Sequence, residues 1–353
     1  MKNSKLYFAL RRSSIKTFNW EYWPMWIVYF PVSFYYLYLA IKAKSFFFFS
    51  AANPSIETGG MFFESKNKIF ELIPTKYYPK TLFIEESLNM EHILTLMNGS
   101  ELSFPIIAKP DRGERGWCVK KINNQNELIQ YHKNTRIDFL IQQYIDYPLE
   151  FSLFYYRNPN SNKGSITSLT YKKLLTIIGD GISTIEELIL KNDRAFLHYH
   201  RLKNSVDIHF KEILLENEEK VLVPYGNHVL GAEFQNYEHI IDSQLNEVFD
   251  RISKSIKGFY FGRFDLRTTS IEDFKAGKNI SILELNGAGA EPAHIYDPQF
   301  SFFEAQKVLA AHYKMMFDAA KANKQKGEEF MTYASFKETR NLEKAYKLKI
   351  ARA

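Results

Sequence analysis

The sequence predicts a protein of mixed α and β structure, in which short apolar strands alternate with helices. Residues 104–122 (FPIIAKPDRGERGWCVKKI) have the pattern of a strand, a glycine turn and a second strand. Residues 261–292 contain two short apolar segments, FGRFDLR and ISILELN, with polar residues at alternate positions. Because alternate residues of a strand point to the same face, these two segments are expected to be neighbouring strands with one polar face.

The composition is that of a globular protein. The 353 residues suffice for two or three domains, with 45% hydrophobic and 24% charged residues. Cys118 is the only cysteine, so a disulfide within the chain is excluded and a reducing compartment is expected. The net charge of +6 suits an anionic surface or substrate. Zinc-like Cys/His spacings and a polybasic arm are lacking from the sequence, so nucleic acid is not an expected partner.

An aromatic run near the amino terminus, residues 22–41 (YWPMWIVYFPVSFYYLYLAI), is uncharged and long enough to cross a bilayer. Pro31 would kink a helix here, and Trp and Tyr are spread along the run rather than confined to its ends. Basic residues flank both ends, which favours the cytoplasmic side for both. We expect a monotopic anchor on the cytoplasmic side of the inner membrane, within an amino-terminal segment of residues 1–50. A single span and a buried helix are the alternatives, and the last implies a cytoplasmic protein.

A small pre-domain is expected over residues 51–100. Residues 46–49 (FFFF) either extend the anchor or form the first buried strand of this domain. A glycine turn precedes a predicted helix over residues 68–73, and such a turn is either an anion or substrate site or a plain loop. The candidates of this turn are Asn53, Gly60, Ser65 and Lys66. A strand over residues 81–84 and a helix over residues 90–97 are expected to follow.

The segment after residue 104 has features of a phosphate site. Lys109 ends an apolar run, from which its ammonium could reach phosphate oxygens as a point charge. Gly113 and Gly116 allow a flexible turn, the flap of residues 111–117, whose N–H groups can fold over phosphates. The arginines of this flap are Arg112 and Arg115. An ordinary hairpin explains the same residues about as well.

Residues 139–157 (FLIQQYIDYPLEFSLFYYR) predict a strand, a hinge and another strand. Such a hinge can offer groups to the edge of an adenine, with Gln142 at N6 and Tyr144 and Ile145 near the ring. Glu150 is placed to accept hydrogen bonds from ribose hydroxyls.

The polar face of the two later strands has the composition of a metal and phosphate site. Arg263 and Asp265 alternate on the first strand, and Glu284 and Asn286 on the second. Carboxylate and amide oxygens suit Mg²⁺, and an arginine beside them can hold a phosphoryl group. A hairpin with a surface salt bridge is the alternative.

In this order, the motifs resemble those of the ATP-grasp superfamily over residues 100–320. Residues 170–190 (TYKKLLTIIGDGISTIEELIL) are similar to a GDG-containing segment of carboxylate–amine ligases of the cyanophycin synthetase and glutathione synthetase-like branch. The wider pattern also resembles D-alanine–D-alanine ligase. The resemblance implies an α+β fold, with two subdomains that clasp ATP, over residues 101–165 and 166–322. A basic tail follows over residues 323–353.

The resemblance also implies roles for individual residues. Carried over by position, Lys109 would bind the ATP phosphates, Gln142, Tyr144 and Ile145 would line the adenine hinge, and Glu150 would meet the ribose. Asp265, Glu284 and Asn286 would hold two Mg²⁺ ions, with Mn²⁺ as an alternative. Arg263 would steady an acyl phosphate. Lys172 would contact phosphate, with Lys173 as the one-residue alternative.

The implied activity is ATP-dependent ligation of a carboxylate to an amine, with release of ADP and phosphate. The carboxylate could be a small molecule or lipid-linked, the amine an amino acid, and a homodimer is left open. Residues 287–290 (GAGA) replace the usual Ser-Pro-Gly turn, and the amino-terminal signature of a D-alanine ligase is absent. D-Alanine is therefore not the expected substrate. A kinase of the same superfamily and a non-catalytic nucleotide-binding scaffold are the alternatives.

Overall fold

The computed structural model describes residues 5–113, 116–205 and 208–351, so that Arg115 of the flap lies outside the described residues. The chain divides into two compact units. The smaller unit comprises Met1–Phe34, Thr170–Tyr237 and Ala293–Val308, and the larger comprises Tyr35–Leu169, Glu238–Pro292 and Leu309–Ala353. These units do not follow the five predicted segments one for one, and the predicted segment boundaries stay a prediction.

Helices and short strands alternate along the described residues, which confirms the expected α+β structure. The helices are α1 (Lys5–Phe18), α2 (Met25–Ala43), α3 (Lys66–Leu72), α4 (Met90–Gly99), α5 (Gln125–Thr135), α6 (Ile185–Lys191), α7 (Asp193–Leu197), α8 (Tyr199–Lys203), α9 (Ser243–Ser255), α10 (Ile271–Ala276), α11 (Phe302–Gln325) and α12 (Tyr333–Ala351). The strands are β1 (Thr81–Ile84), β2 (Ile106–Pro110), β3 (Lys120–Ile122), β4 (Phe139–Gln143), β5 (Leu149–Tyr156), β6 (Ser165–Lys173), β7 (Leu175–Ile178), β8 (Glu219–Val223), β9 (Glu233–Asn236), β10 (Phe261–Thr268) and β11 (Ile280–Asn286).

The first sheet of the larger unit has the antiparallel order β1-β4-β2-β3. Its buried face packs Ile84, Ile106 and Phe139 against Ile93 of α4 and Leu128 of α5. Helix α5 begins where the side chain of Asn124 accepts the N–H of Glu127, which is the usual role of an asparagine at a helix N-cap. The strand, glycine turn and strand expected at residues 104–122 are present as β2 and β3.

The second sheet of the larger unit runs in the order β11-β10-β5-β6. Strands β10 and β11 are antiparallel, and Arg263 lies opposite Asn286 while Asp265 lies opposite Glu284. The register shifts after Asp265, so that Leu283 is an extra residue in β11. A bulge of this kind bends a strand and redirects its groups.

One of the two predictions for residues 46–49 was a buried strand, and this prediction is wrong. Residues Phe48–Ala51 form a 3₁₀ turn, in which Ala52 N–H donates to the carbonyl of Phe49 at 2.9 Å. Phe48 and Phe49 are both buried in one aromatic core with Phe317. A strand would send these consecutive side chains to opposite faces, whereas a turn lets both enter the same core.

The smaller unit contains α1, the two-stranded antiparallel sheet of β7 and β8, and a core around Leu175, Ile185 and Leu222. Its GDG segment forms a turn, in which the Asp180 carboxylate accepts the N–H groups of Ile182 and Ser183 at 3.1 and 2.6 Å. These hydrogen bonds lower the pKa of Asp180. Thr184 and Glu187 then form a capping box that starts α6. The GDG segment therefore has a local structural explanation.

Two helical segments are interrupted in the structure. The basic run at residues 194–201 is split between α7 and α8 at His198. The carboxy-terminal segment forms the end of α11 and, after Gly327 with φ of 102°, the separate helix α12. Glycine tolerates this left-handed backbone conformation without a steric penalty, so the chain can turn there.

Candidate active site

The polar face predicted for β10 and β11 is present, and it extends to β5. Asp265 is only 6% exposed. Its carboxylate accepts hydrogen bonds from an Arg263 nitrogen at 2.9 Å and from the amide of Asn286 at 3.0 Å, and it is bound by the Ser152 hydroxyl. The alternative of a surface salt bridge is wrong, because both members of the Arg263–Asp265 pair are largely buried.

Arg263 has the features of an anion contact. One terminal nitrogen donates to the Glu291 carbonyl at 3.1 Å and the other to Asp265, but its buried Nε–H has no partner among the described residues. Burial opposes the charge, but the nearby Asp265 carboxylate outweighs it and raises the pKa of Arg263. A permanently charged guanidinium with an unused buried donor fits a phosphoryl or acyl-phosphate oxygen.

Lys109 lies at the end of β2, as predicted, and is 7% exposed. Its ammonium donates to the Gln142 side-chain oxygen at 2.8 Å and to the Leu283 carbonyl at 2.9 Å. Burial is the largest effect on this group and lowers the pKa of Lys109 to about 7, with Glu284 acting in the opposite direction and Lys66 in the same. Both of these acceptors are neutral, so an anionic phosphate would add a counter-charge for this ammonium.

The β-bulge at Leu283 connects the two sheets of the larger unit. Because Leu283 has no partner in the β10 register, its carbonyl is available to accept the hydrogen bond from Lys109. One side of the bulge therefore carries the candidate metal ligands Glu284 and Asn286, and the bulge itself orients the candidate phosphate lysine. The hydrogen bond from Lys109 to Leu283 therefore brings the phosphate motif on β2 beside the metal motif on β10 and β11.

Lys66 also reaches this site, from the first residue of α3. Its ammonium lies 3.7 Å from a Glu284 oxygen and donates to the Gly113 carbonyl at 2.5 Å. Ser65 caps the helix and donates to the Asp111 carboxylate at 2.9 Å, which fixes the start of α3 beside the flap. Of the four weak candidates in the pre-domain, Lys66 is thus the one with a charge at the metal strands.

The described part of the flap is tied to the pre-domain. Arg112 donates to the Glu57 carboxylate at 2.8 Å and also to the Phe63 carbonyl. Although burial opposes it, hydrogen bonding to Arg112 helps to lower the pKa of Glu57. Gly113 and Gly116 both have positive φ, of 149° and 72°, which supports the predicted glycine turn. The phosphate roles of these three flap residues stay predictions.

The hinge residues are placed as a strand, a connection and a strand, with one unexpected partner. Gln142 is turned toward Lys109 and Thr81 rather than presented to solvent. Tyr144 has the Lys121 ammonium 3.9 Å from its ring centre. The adenine contacts assigned to Gln142, Tyr144 and Ile145 stay predictions.

The unexpected partner is Arg267, which sequence reasoning did not select. Its guanidinium donates twice to one Glu150 oxygen, at 3.0 and 2.9 Å, and once to the Ile145 carbonyl at 3.0 Å. Arg267 lies opposite Glu150 in the β10–β5 register. The alternation that identified Arg263 and Asp265 continues to Arg267, so the signal was present in the motif FGRFDLR. Arg267 therefore fixes the hinge at Ile145 and the carboxylate of Glu150, which is predicted to bind the ribose.

Lys172 belongs to the smaller unit, on the part of β6 that pairs with β9. It is buried, and its ammonium lies 6.0 Å from the ring centre of Phe234. Its one-residue alternative, Lys173, is exposed at the end of the same strand. The phosphate contact assigned to Lys172 stays a prediction.

The chain after Asn286 is held by the pre-domain through backbone contacts. Asn53 is fully buried and bonds the carbonyls of Gly59 and Phe261 at 2.9 and 2.8 Å. The N–H of Ala288 donates to the Gly59 carbonyl at 2.9 Å. A Cβ added to Gly287 would lie 2.4 Å from the same carbonyl oxygen, so only glycine allows this approach. Close packing against Gly59 therefore explains the first glycine of residues 287–290 (GAGA), which replace the Ser-Pro-Gly turn usual in the resembled family.

The oxygen ligands at this face are compatible with magnesium. No cluster of three or more His, Cys, Asp or Glu side chains suited to a metal occurs within residues 5–113, 116–205 and 208–351. The predicted set instead combines the carboxylates of Asp265 and Glu284 with the Asn286 amide oxygen. Two carboxylates that rely on substrate phosphates for further ligands are the usual environment of Mg²⁺ in nucleotide sites.

Comparison with known proteins gives structural similarities only. No family model matches the chain, and no curated protein matches it. It is similar to a bifunctional glutathione synthetase from Pasteurella multocida (11% identity, 70% of this chain and 36% of that one, TM-score 0.38). It is also similar to VanG D-Ala:D-Ser ligase from Enterococcus faecalis (14% identity, 72% of this chain and 62% of that one, TM-score 0.39). A third similar structure is the ATP-grasp ligase PsnB (12% identity, 70% of this chain and 59% of that one, TM-score 0.37).

These matches span less than two thirds of each of the three other chains. The first of the three is a glutathione synthetase, the second a D-Ala:D-Ser ligase and the third an ATP-grasp ligase.

Proposed function

We propose that the protein is an ATP- and Mg²⁺-dependent ligase that joins a carboxylate to an amine through an acyl phosphate. The observation that carries this proposal is the convergence of Lys109, Arg263, Asp265, Glu284 and Asn286 around the bulge in β11. The site combines the buried ammonium of Lys109, whose two acceptors are neutral, with the guanidinium of Arg263, which has an unused donor. The acidic side chains of Asp265 and Glu284 lie on the same face. Phosphoryl transfer depends mainly on positioning and charge neutralisation, for which this set is suited.

In the proposed reaction, a substrate carboxylate oxygen attacks the γ-phosphorus of ATP and the bond to the β-phosphate oxygen breaks, which releases ADP. The amine nitrogen then attacks the acyl carbon, the C–O bond to phosphate breaks, and inorganic phosphate leaves. The amine loses a proton to solvent or to the departing phosphate as the C–N bond forms.

The residues of this chain would divide the work between the two steps. Lys109 would hold the transferred phosphate, and Arg263 would stabilise charge on the acyl phosphate and on the tetrahedral intermediate. Asp265, Glu284 and Asn286 would hold Mg²⁺, which when bound neutralises phosphate charge. Arg267 would keep Glu150 oriented toward the ribose. Water must be excluded, because it would hydrolyse the acyl phosphate.

The substrates are proposed by class only: a small-molecule or lipid-linked carboxylate, and an amine or amino acid. Residues 287–292 follow β11, and we expect them to contact the acceptor; the hydrogen bond from Arg263 to the Glu291 carbonyl supports this. We also propose that the reaction takes place on the cytoplasmic side of the inner membrane. Helix α2, the one helix within the described residues that is long and apolar enough to cross a membrane, supports a membrane location by length and composition.

The test is an ADP-release screen of paired carboxylates and amines, with and without lipid vesicles. A ligase releases ADP and phosphate in equal amounts, and quickly only when both substrates are present. ADP release with a carboxylate alone, accompanied by a stable phosphorylated product, would instead identify a kinase. ATP binding in the presence of Mg²⁺ without ADP release for any substrate pair would favour the nucleotide-binding scaffold. Failure to bind ATP would refute the proposal.

A further inference from the structure

Helix α2 is apolar on two opposite faces, and only one of them is covered by the protein. The covered face contains Val28, Val32 and Leu39, which are at most 4% exposed. Its contacts within each unit are specific. The Val28 carbonyl accepts a hydrogen bond from Gln306 at 2.9 Å, and the Tyr36 ring stacks on Phe48 at 5.0 Å. The contacts of this face attach α2 to the folded protein.

The other face is a stripe of large apolar side chains that face solvent. Its members, with their exposed fractions, are Trp26 (72%), Phe30 (60%), Phe34 (60%), Leu37 (46%), Tyr38 (50%) and Ile41 (77%). Their spacing of three or four residues places them along one side of the helix. From residue 26 to residue 41 the stripe is about 22 Å long at 1.5 Å per residue. Phe30 and Phe34 pack edge to face at 5.2 Å, so they form one continuous surface.

The chain segment that carries this stripe, residues 22–56, has charges of one sign. No acidic residue occurs between Tyr22 and Ile56. Lys42 and Lys44, at the carboxyl end of α2, are exposed, and Arg12 and Lys16 are exposed on α1. Mixed apolar and basic surfaces of this kind bind anionic lipid, because side-chain insertion and charge attraction act together.

We propose that α2 lies in the plane of an anionic lipid surface, with the stripe from Trp26 to Ile41 inserted among the headgroups and upper acyl chains. The covered face excludes a helix wholly surrounded by lipid, because Val28, Val32 and Leu39 are packed against protein. The amphipathic aromatic rings of Trp26 and Tyr38, toward the two ends of the stripe, suit the boundary between headgroups and hydrocarbon. Of the three sequence alternatives, the inference selects the monotopic anchor.

A second copy of the chain is the competing occupant of the stripe. Two copies would bring like charges close together at the basic ends of their helices, whereas an anionic lipid surface neutralises them. The lipid is therefore the occupant that fits both the apolar and the charged part of the surface.

The test uses the full chain and sedimentation with two kinds of vesicle, phosphatidylcholine alone and phosphatidylcholine with phosphatidylglycerol. We expect binding to the anionic vesicles, weakened by high salt. The variant F30S/F34S should lose about tenfold or more in its partition coefficient, because each phenylalanine contributes buried apolar area. The matched control is L215S/V229S, which removes two apolar side chains of similar exposure (75% and 68%) away from α2; it should bind like the wild type.

Circular dichroism and light scattering complete the experiment. An unchanged thermal transition shows that F30S/F34S is folded, so that its loss of binding reports the stripe. Wild-type protein that sediments with neither vesicle, or a folded F30S/F34S that binds as well as the wild type, would overturn the proposal. A wild-type dimer that becomes monomeric in F30S/F34S would assign the stripe to a second copy. All of these readouts are independent of ligase activity, so they stand or fall separately from the proposed function.

Discussion

The strand pair β10–β11 and the junction between residues 53–60 and 287–289 meet at Asn286, yet they are held together by different groups. On the strands, side chains make the contacts: Arg263 and Asn286 both donate hydrogen bonds to the Asp265 carboxylate. At the junction, backbone carbonyls and N–H groups pair across a glycine contact, and the side chain of Asn53 adds hydrogen bonds to two carbonyls. Substitutions on the strands should therefore change chemistry, and substitutions at the junction should change stability.

The largest expected effect is on the strands. Glu284→Ala should lower ATP turnover by at least about a hundredfold, because a ligand for Mg²⁺ and the charge beside Lys66 are both removed. Since the Glu284 side chain is 38% exposed, the thermal transition should hardly move. Coupled ADP-release kinetics and calorimetry measure both. Unchanged turnover in the variant would refute the metal assignment.

Lys109→Met should abolish measurable ATP binding, since the phosphate lysine is lost. In the wild type the lowered pKa of about 7 means that the free ammonium loses its proton near neutral pH. Phosphate binding favours the charged form, so ATP affinity should fall as pH rises above about 7, with proton uptake on binding. Titration calorimetry in buffers of different ionisation enthalpy measures this uptake; its absence at pH 8 would contradict the lysine's role.

The same residue predicts a stability effect of defined sign. The unfolded lysine keeps its proton to about pH 10.5, whereas the folded one loses it near 7, so between these values the unfolded state binds more protons. The free energy of unfolding of the wild type should therefore rise relative to that of Lys109→Met as pH increases from 7 to 9. Urea unfolding of both proteins at pH 7 and pH 9 measures these free energies. If the free energy of unfolding of the wild type does not rise relative to that of the variant, Lys109 is not a buried charge of lowered pKa.

At the junction, Gly287→Ala should destabilise the protein by about 1–3 kcal/mol, because the added methyl must displace the Gly59 backbone. The matched control is Gly99→Ala at the end of α4, where an added Cβ meets nothing within 4 Å. Urea unfolding of the two variants separates the close contact from a general glycine effect. Equal stability of the two would show that the junction is not tightly packed.

The smallest effect is expected at Arg267, which supports the site without belonging to the phosphate end. Arg267→Met should raise the KM for ATP about tenfold with little change in kcat, since Glu150 loses its orienting donor. Binding of tripolyphosphate, which lacks ribose and adenine, should stay unchanged. Arg251→Met, at an exposed position of α9, is the control. Equal losses for ATP and tripolyphosphate would mean that Arg267 acts only on the fold.

The contrast between the two regions also explains what the sequence could predict. Alternation along a strand is a local signal, and it correctly placed Arg263, Asp265, Glu284 and Asn286 on one face. It also contained Arg267, whose partner Glu150 lies more than a hundred residues away.

Contacts made by the backbone left no such signal. The bulge that turns the Leu283 carbonyl to Lys109, and the approach of Gly287 to Gly59, depend on how distant segments pack. The 3₁₀ turn at Phe48–Ala51 was missed for the same reason, since four phenylalanines fit a buried strand and a buried turn equally well. Lys66 was predicted only as one of four candidates of the glycine turn, and its position beside Glu284 required the fold.

The most direct measurement is a calorimetric titration of ATP into the wild-type chain, with and without Mg²⁺. The proposed site predicts one ATP bound per chain in the presence of Mg²⁺, with much weaker binding in its absence and in Glu284→Ala. ATP binding that is equally strong without Mg²⁺, or unaffected in both Glu284→Ala and Lys109→Met, would contradict a nucleotide site at β10 and β11.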